Sequence, residues 1–346
     1  MLITTDYITP AELTGYARAA LADVEQNQFT LSAFLPSEAV DDLQYRFNRG
    51  GQGLAEAATF RSFDAESSIA TRPGTTRVTG ELPPVSRKIK LSEYDRLRQR
   101  QLDPAIQDSI FNDTDRMVQA VAARIELARG QALSAGAVTI AEDGVIATVD
   151  FGRRSAHTGV APGTLWSVAA SATPIADLIA WRKTYRSNNG GTNPGAILTS
   201  ETVLSNILRA QEVRNLAAAA GVAPSIVSPL VLNTILSAYN LPPIVVNDAQ
   251  INVRNDKTDV VTATRVIPEN NVILLPAAGG SQLGGTFWGT TAESLEPEYE
   301  LTGDEPGIVA GAYSTKDPVA VWTKAAGIAL PVLANPDLTF QAVVLA

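Results

Sequence analysis

The sequence has no cysteine, which removes disulfides, thiolate nucleophiles and cysteine-ligated zinc together and leaves the redox compartment open. It has one histidine, His157, in the polar stretch Ser155–Val160. A histidine triad or metal site would have to be assembled around it from remote residues, so a solvated loop histidine is expected. Charged residues are only 18% of the 346, against about 25% in an average domain. So little charge suggests surface hidden elsewhere, against copies of the same chain. Positive charge is scarcer than negative, for a net of −9, which argues against global affinity for nucleic acid and leaves room only for a local basic patch. Long apolar runs are missing too. The longest, Ala325–Ala334, has ten residues and contains Pro331, whereas a bilayer span needs about 18. Met1–Pro10 lacks a positive n-region and carries Asp6, so it does not read as a signal peptide, and a soluble protein is expected.

What is present reads as a mixture of helices and strands, long enough for two or three domains. Thr9-Pro10-Ala11-Glu12 combines a cap, Pro at the first position and a capping box, and predicts an amphipathic helix over Pro10–Glu25. Gln26–Arg49 reads as an irregular, extended arm. Beyond Gly50-Gly51-Gln52-Gly53, two strand-prone stretches, Leu54–Ala70 and Arg77–Leu91, flank the turn signal Pro73-Gly74 and predict a long ribbon. A two-stranded ribbon is marginal alone in water, so it should lean on something. Asp103-Pro104 then opens the longest helical pattern, Pro104–Ala135, about 48 Å long at 1.5 Å per residue. Gly130 is its one weak position.

A hairpin is expected at Val138–Ala141 and Val145–Phe151, around Glu142-Asp143-Gly144. From Pro174 the texture is mixed: helices at Ile175–Tyr185, Glu201–Gln211 and Ser228–Tyr239, strands at Gly195–Leu198, Ile244–Val246 and Asn271–Leu275. After a Gly-rich loop (Ala278–Gly289) and an acidic stretch (Glu293–Glu305), strands return at Ile308–Tyr313, Val319–Lys324, Gly327–Leu333 and Leu338–Leu345, the last pair split by Asn335-Pro336-Asp337.

No constellation of catalytic residues emerges. Asp113-Thr114-Asp115 falls inside the long helix, where neighbours at i and i+2 do not share a face, and reads as solvated helix surface. Gly279–Gly285 lacks the G-K-[ST] ending of a P-loop and does not fit G-x-G-x-x-G, so a flexible loop is expected. Glu296, Glu298 and Glu300 would line one side of an extended segment, but without EF-hand spacing they read as a solvated acidic edge.

The order of parts resembles the tailed-phage capsid fold of the Hong Kong 97 type, and the sequence itself is similar to the lambda-type major capsid protein, the protein E family. The stretches that carry the likeness are Gly80-Glu81-Leu82-Pro83-Pro84, Arg87-Lys88-Ile89-Lys90-Leu91, Val149-Asp150-Phe151-Gly152, Gly163-Thr164-Leu165-Trp166-Ser167, Asp317-Pro318, Leu333-Ala334-Asn335-Pro336-Asp337 and Val343-Val344-Leu345-Ala346. The resemblance implies an α+β subunit with an N-terminal arm (residues 1–50) and an extended E-loop (51–91). A peripheral domain (92–173 and 304–346) would hold the spine helix 104–135, and an axial α/β domain would span 174–303. The closing strands would rejoin the peripheral sheet beside the spine.

The same resemblance implies a non-enzymatic protein that assembles as hexamers and pentamers into an icosahedral shell around double-stranded DNA. Its partners would be itself, a scaffold protein, a portal, a decoration protein and packaged DNA touched non-specifically on the inner face, with no membrane, cofactor or metal. It would be built in the bacterial host cytoplasm and reside in the virion. An encapsulin-like compartment housing cargo enzymes is the alternative on the same fold. Arg72 and Arg77, flanking the ribbon turn, are the candidate contact residues, expected to meet acidic surface on the next subunit. Some shells of this fold weld neighbours through an E-loop lysine, but Gly53–Arg87 contains none, and only six lysines stand beside 21 arginines in the chain. A non-covalent shell is expected.

Overall fold

The structure is a computed structural model describing residues 2–3, 8–49, 76–94, 97, 103–142, 145–218, 224–254, 258–280, 282–301, 306–317 and 319–346. A two-residue strand, β1 (Leu2–Ile3), precedes helix α1 (Pro10–Asn27). The expected capping box forms: Thr9 Oγ1 accepts from the Glu12 N–H and the Glu12 carboxylate accepts from the Thr9 N–H, both at 3.3 Å. Past a 3-10 turn at Thr30–Ala33, the supposedly irregular arm contains β2 (Ser37–Ala39) and β3 (Gln44–Arg49).

The ribbon differs from the expectation. β3 pairs antiparallel with β4 (Thr76–Glu81), from Gln44 opposite Glu81 to Arg49 opposite Thr76. Arg77–Leu91 is not one strand but breaks at Leu82-Pro83, and β5 (Pro84–Leu91) joins a different sheet. Two successive prolines without N–H groups cannot carry one ladder through. Leu54–Ala70 and the turn with Arg72 lie outside the described residues.

Helix α2 (Asp103–Ala135) has 33 residues, one more at its start than expected, and ends where expected. Gly130 is required by close approach, since a Cβ there would stand 2.1 Å from the Val266 carbonyl oxygen. The hairpin β6 (Ala137–Glu142) and β7 (Val145–Asp150) follows, with Glu142 opposite Val145. Next come α3 (Pro174–Asn188), β8 (Ala196–Thr199), α4 (Glu201–Arg209), α5 (Gln211–Ala217) and α6 (Pro229–Ala238). Ser200 and Ser228 cap α4 and α6 by accepting from the Val203 and Val231 N–H groups. Strands β9 (Ile244–Val246), β10 (Gln250–Arg254), β11 (Val261–Arg265) and β12 (Asn271–Leu275) complete this part.

The Gly-rich stretch is not a loop throughout: β13 (Gly284–Gly289) pairs antiparallel with β15, and glycine is needed because a Cβ on Gly284 would meet the Val332 carbonyl oxygen at 2.1 Å. After α7 (Ala292–Leu295) come β14 (Val309–Lys316), β15 (Val319–Leu333) and β16 (Phe340–Val343). The two strands expected across Val319–Leu333 are one continuous strand of 15 residues. Pro331 is tolerated within β15, where it stands opposite Thr286 of β13.

Two sheets organise the molecule. The larger contains β1, β14, β15, β13, β2 and β5, and the smaller runs β16-β12-β8-β9. The last strand therefore corrects the expectation: β16 pairs with β12, Phe340 opposite Leu274, and does not rejoin the sheet beside the long helix. It is buried, with Phe340 and Ala342 at 1% and 0% exposure. One apolar core gathers Leu13 and Ala17 of α1, Val118 and Ile125 of α2, and Val321 and Ala325 of β15. The second core contains Ala128, Ala132 and Leu133 of α2 together with the α/β elements. A single helix thus serves both cores, and a rod of about 50 Å gives the two halves a common axis.

Candidate assembly surfaces

Arg129 sits on α2 with its side chain fully buried. Its Nη2 donates to Glu25 Oε1 at 2.6 Å and to Ser37 Oγ at 3.0 Å, its Nε donates to Thr286 Oγ1 at 2.9 Å, and Nη1 faces Glu126 Oε2 at 3.4 Å. Glu126, also fully buried, accepts the Leu31 N–H at 3.0 Å through its other oxygen. One guanidinium therefore clasps α1, β2 and β13 to the long helix. Burial pushes the Glu126 carboxyl above the usual range, opposed by the Leu31 hydrogen bond and by Arg129. The sequence signal was Glu126 and Arg129 three residues apart within an apolar stripe, where charge survives only if paired.

A second polar node closes the far end of α2. Arg153 donates to the carbonyls of Leu133 (3.0 Å) and Ser134 (2.7 Å), satisfying helix-end acceptors, and to Thr339 Oγ1 at 3.2 Å. Desolvation lowers its pKa to about 10, which still leaves it charged at neutral pH. His157 is not the solvated loop residue expected. It is fully buried, with its ring 5.2 Å from that of Phe340 and 6.2 Å from that of Tyr185. Its Nδ1 donates to the Thr339 carbonyl at 3.2 Å, and Nε2 accepts from Asn188 Nδ2 at 2.9 Å, an arrangement that needs the neutral ring. Long-range packing buries a residue whose immediate neighbours are polar.

Burial holds the His157 pKa below its ordinary value. The folded state then binds fewer protons than the unfolded one, so its stabilising contribution is complete above about pH 6.5 and is lost as pH falls through the lowered pKa. The urea midpoint of the wild type should fall relative to that of His157→Gln between pH 7.5 and pH 5.5. Parallel pH profiles for the two proteins would contradict the assignment.

The other sequence candidates are dispersed. Arg77 occupies β4 opposite Asn48, while Arg72 lies outside the described residues. Asp113 and Thr114 are buried, not solvated: the Thr114 hydroxyl donates to the Ile110 carbonyl, and Asp115 accepts from the Tyr16 hydroxyl. Pro297–Tyr299 is a 3-10 turn and Glu300 is left-handed, so the three glutamates do not line an extended edge. No metal-holding cluster of His, Asp and Glu occurs among the described residues, and no described helix is long and apolar enough to cross a membrane.

The whole subunit superposes on solved phage proteins. The putative capsid protein of a prophage from Escherichia coli CFT073 matches with a TM-score of 0.64 at 12% identity, covering 98% of this chain and 99% of that one. A phage-related protein from Bordetella bronchiseptica RB50 matches at 0.61 and 11% identity, covering 99% and 97%. No curated protein matches the chain. The fold is the tailed-phage capsid fold of the Hong Kong 97 type, an α+β architecture. A family model described as phage major capsid protein E matches residues 26–344, and the chain belongs to that family. It is a phage major capsid protein, a structural component of virions.

Proposed function

We propose that the protein assembles as hexamers and pentamers into a closed icosahedral head shell around double-stranded phage DNA. The observation that supports this most is the ribbon: β3 and β4 pair only with each other among the described residues, in a chain of the capsid family. Two strands alone are marginal in water, and a neighbouring subunit is the partner that stabilises them. In this reading residues 1–50 are the arm, 51–91 the E-loop, 92–173 and 304–346 the peripheral domain apart from β16, and 174–303 the axial domain. Scaffold protein, portal and a decoration protein are its assembly partners in the host cytoplasm. DNA touches the inner face non-specifically, and the subunit itself carries out no catalytic step. Coexpression with its scaffold should give shells visible by electron microscopy that contain nucleic acid. Monomers only, or shells filled with an enzyme, would sink the reading.

Arg72 and Arg77 belong to the same proposal as ribbon contacts with acidic surface on the next subunit. Exposed pairs contribute only about 0–1 kcal/mol each, but the contact repeats across the shell. Arg72→Glu with Arg77→Glu should block assembly and leave the circular dichroism of the subunit unchanged; normal shells from this variant would refute the contact.

The shell should also be non-covalent, since Gly53–Arg87 carries no lysine amine. Boiled in detergent, mature particles should run as one band near 36.5 kDa. A ladder of multimers would overturn this and direct attention to Lys88 and Lys90.

A further inference from the structure

Opposite margins of the larger sheet carry opposite charges that find no partner among the described residues. β15 pairs with β5 along Val321–Ile328 and with β14 along Val319–Ala326, so these two strands flank it on opposite sides. Ile328 stands between Pro84 of β5 and Gly289 of β13, which puts β13, and β2 beyond it, on the β14 side. β5 and β2 are therefore two margins of one sheet.

The β5 margin is basic. Arg87, Lys88 and Lys90 are exposed, and none has a carboxylate partner among the described residues. The Lys88 and Lys90 ammonium groups lie 4.8 Å and 5.9 Å from the centre of the Trp322 ring, which is stacked on Tyr313 at 6.4 Å. Cation–π contact holds two flexible cations in place over an aromatic floor. The adjoining groove is lined by Arg87, Lys88, Tyr299 and Tyr313, with Glu298 at its side, while Glu293 is engaged by Lys324. Those two carboxylates oppose a polyphosphate ligand and leave the outermost cations for a discrete acidic partner.

The β2 margin is acidic. Glu38 and Asp41 are exposed and have no cationic partner among the described residues, and Leu43 beside them is 49% exposed. They cannot reach the lysines of their own subunit. Lys88 stands opposite Lys324, whereas Glu38 stands opposite Phe287 and thus at the level of Leu330. Six residues along the strand and three strand spacings separate them, roughly 20 Å and 14 Å. Complementary patches on opposite margins of one sheet are the requirement for a head-to-tail contact that closes into a ring.

We propose that the β5 margin of one subunit receives the β2 margin of the next copy, with Lys88 and Lys90 meeting Glu38 and Asp41. This rests on the capsid reading and adds a specific contact to it. Carbodiimide treatment of assembled particles should yield cross-linked peptides joining Glu38 or Asp41 to Lys88 or Lys90, absent from unassembled subunits. Lys88→Glu with Lys90→Glu should cut particle yield at least about tenfold, as should Glu38→Lys with Asp41→Lys, and all four changes together should restore it. Lys88→Gln with Lys90→Gln, which removes the attraction without reversing it, should lower the yield less and abolish its salt sensitivity.

Normal yield from either reversal, or no rescue by the fourfold variant, would overturn the contact. Normal shells of the lysine reversal with less nucleic acid would overturn it too, by placing the lysines against packaged DNA. So would lysines that only block edge pairing, seen as aggregation of the reversal. Wild-type protein that never forms particles would overturn the capsid reading and this contact with it.

Discussion

Replacing Arg129 by methionine should cost about 3–5 kcal/mol of subunit stability, one of the largest effects available from a single polar side chain. The guanidinium is fully buried and serves Glu25, Ser37, Thr286 and Glu126. Methionine fills much of the volume but leaves the Glu126 carboxylate buried with one remaining donor, the Leu31 N–H. The deficit should depend on pH. Burial already raises the Glu126 pKa, and the loss of its cation raises it further, so the folded variant takes up a proton that the unfolded chain does not. Stability lost at pH 8 should therefore return in part as pH falls toward the carboxylate range. Adding Glu126→Gln removes the charge and keeps an acceptor for Leu31, and should recover part of the loss at pH 8. Urea denaturation of the three proteins at two pH values measures all of this. A deficit independent of pH, with no recovery in the double variant, would mean that the clasp works by packing alone.

What was legible in the sequence was local. Thr9 and Glu12, Ser200 and Ser228 state their helix starts within four residues, and the stripe along Ile110, Met117, Val121 and Ile125 declares a buried face without reference to the rest of the chain. Strand partners were not legible. β3 finds β4 from more than 25 positions away in the chain, and β16 finds β12 instead of the neighbour expected from family order. Gly284 and Gly285 were misread because glycine is a poor strand former, and only close neighbours from elsewhere, the Val332 carbonyl at Gly284 and the Pro36 carbonyl and Glu38 at Gly285, explain their presence. His157 was misread because Asn188, Thr339 and Phe340 bury it from outside its own window. The basic and acidic margins could not be paired at all until β15 ordered the strands between them.

The long helix should tolerate change on one face and fail on the other. Val121 is 1% exposed within the core shared by α1, α2 and β15, whereas Gln119, two residues earlier, is exposed. Successive positions two apart lie about 200° apart around a helix, so the two side chains point to opposite sides. Val121→Asp places a carboxylate in an apolar core, at a cost of several kcal/mol or loss of the ionised form. Gln119→Glu changes charge by the same amount but keeps its water and its helix propensity, and should fall within about 0.5 kcal/mol of wild type. The contrast separates folding from assembly. Charge reversal at Arg72 and Arg77, or at Lys88 and Lys90, should leave a folded subunit that does not assemble, whereas Val121→Asp should lose the subunit itself, with low soluble yield and reduced ellipticity before any shell is scored. Val121→Ala, which removes methyl groups without adding charge, should fall between the two. Equal effects from Val121→Asp and Gln119→Glu would show that this face of α2 is not the one on which the larger sheet is built.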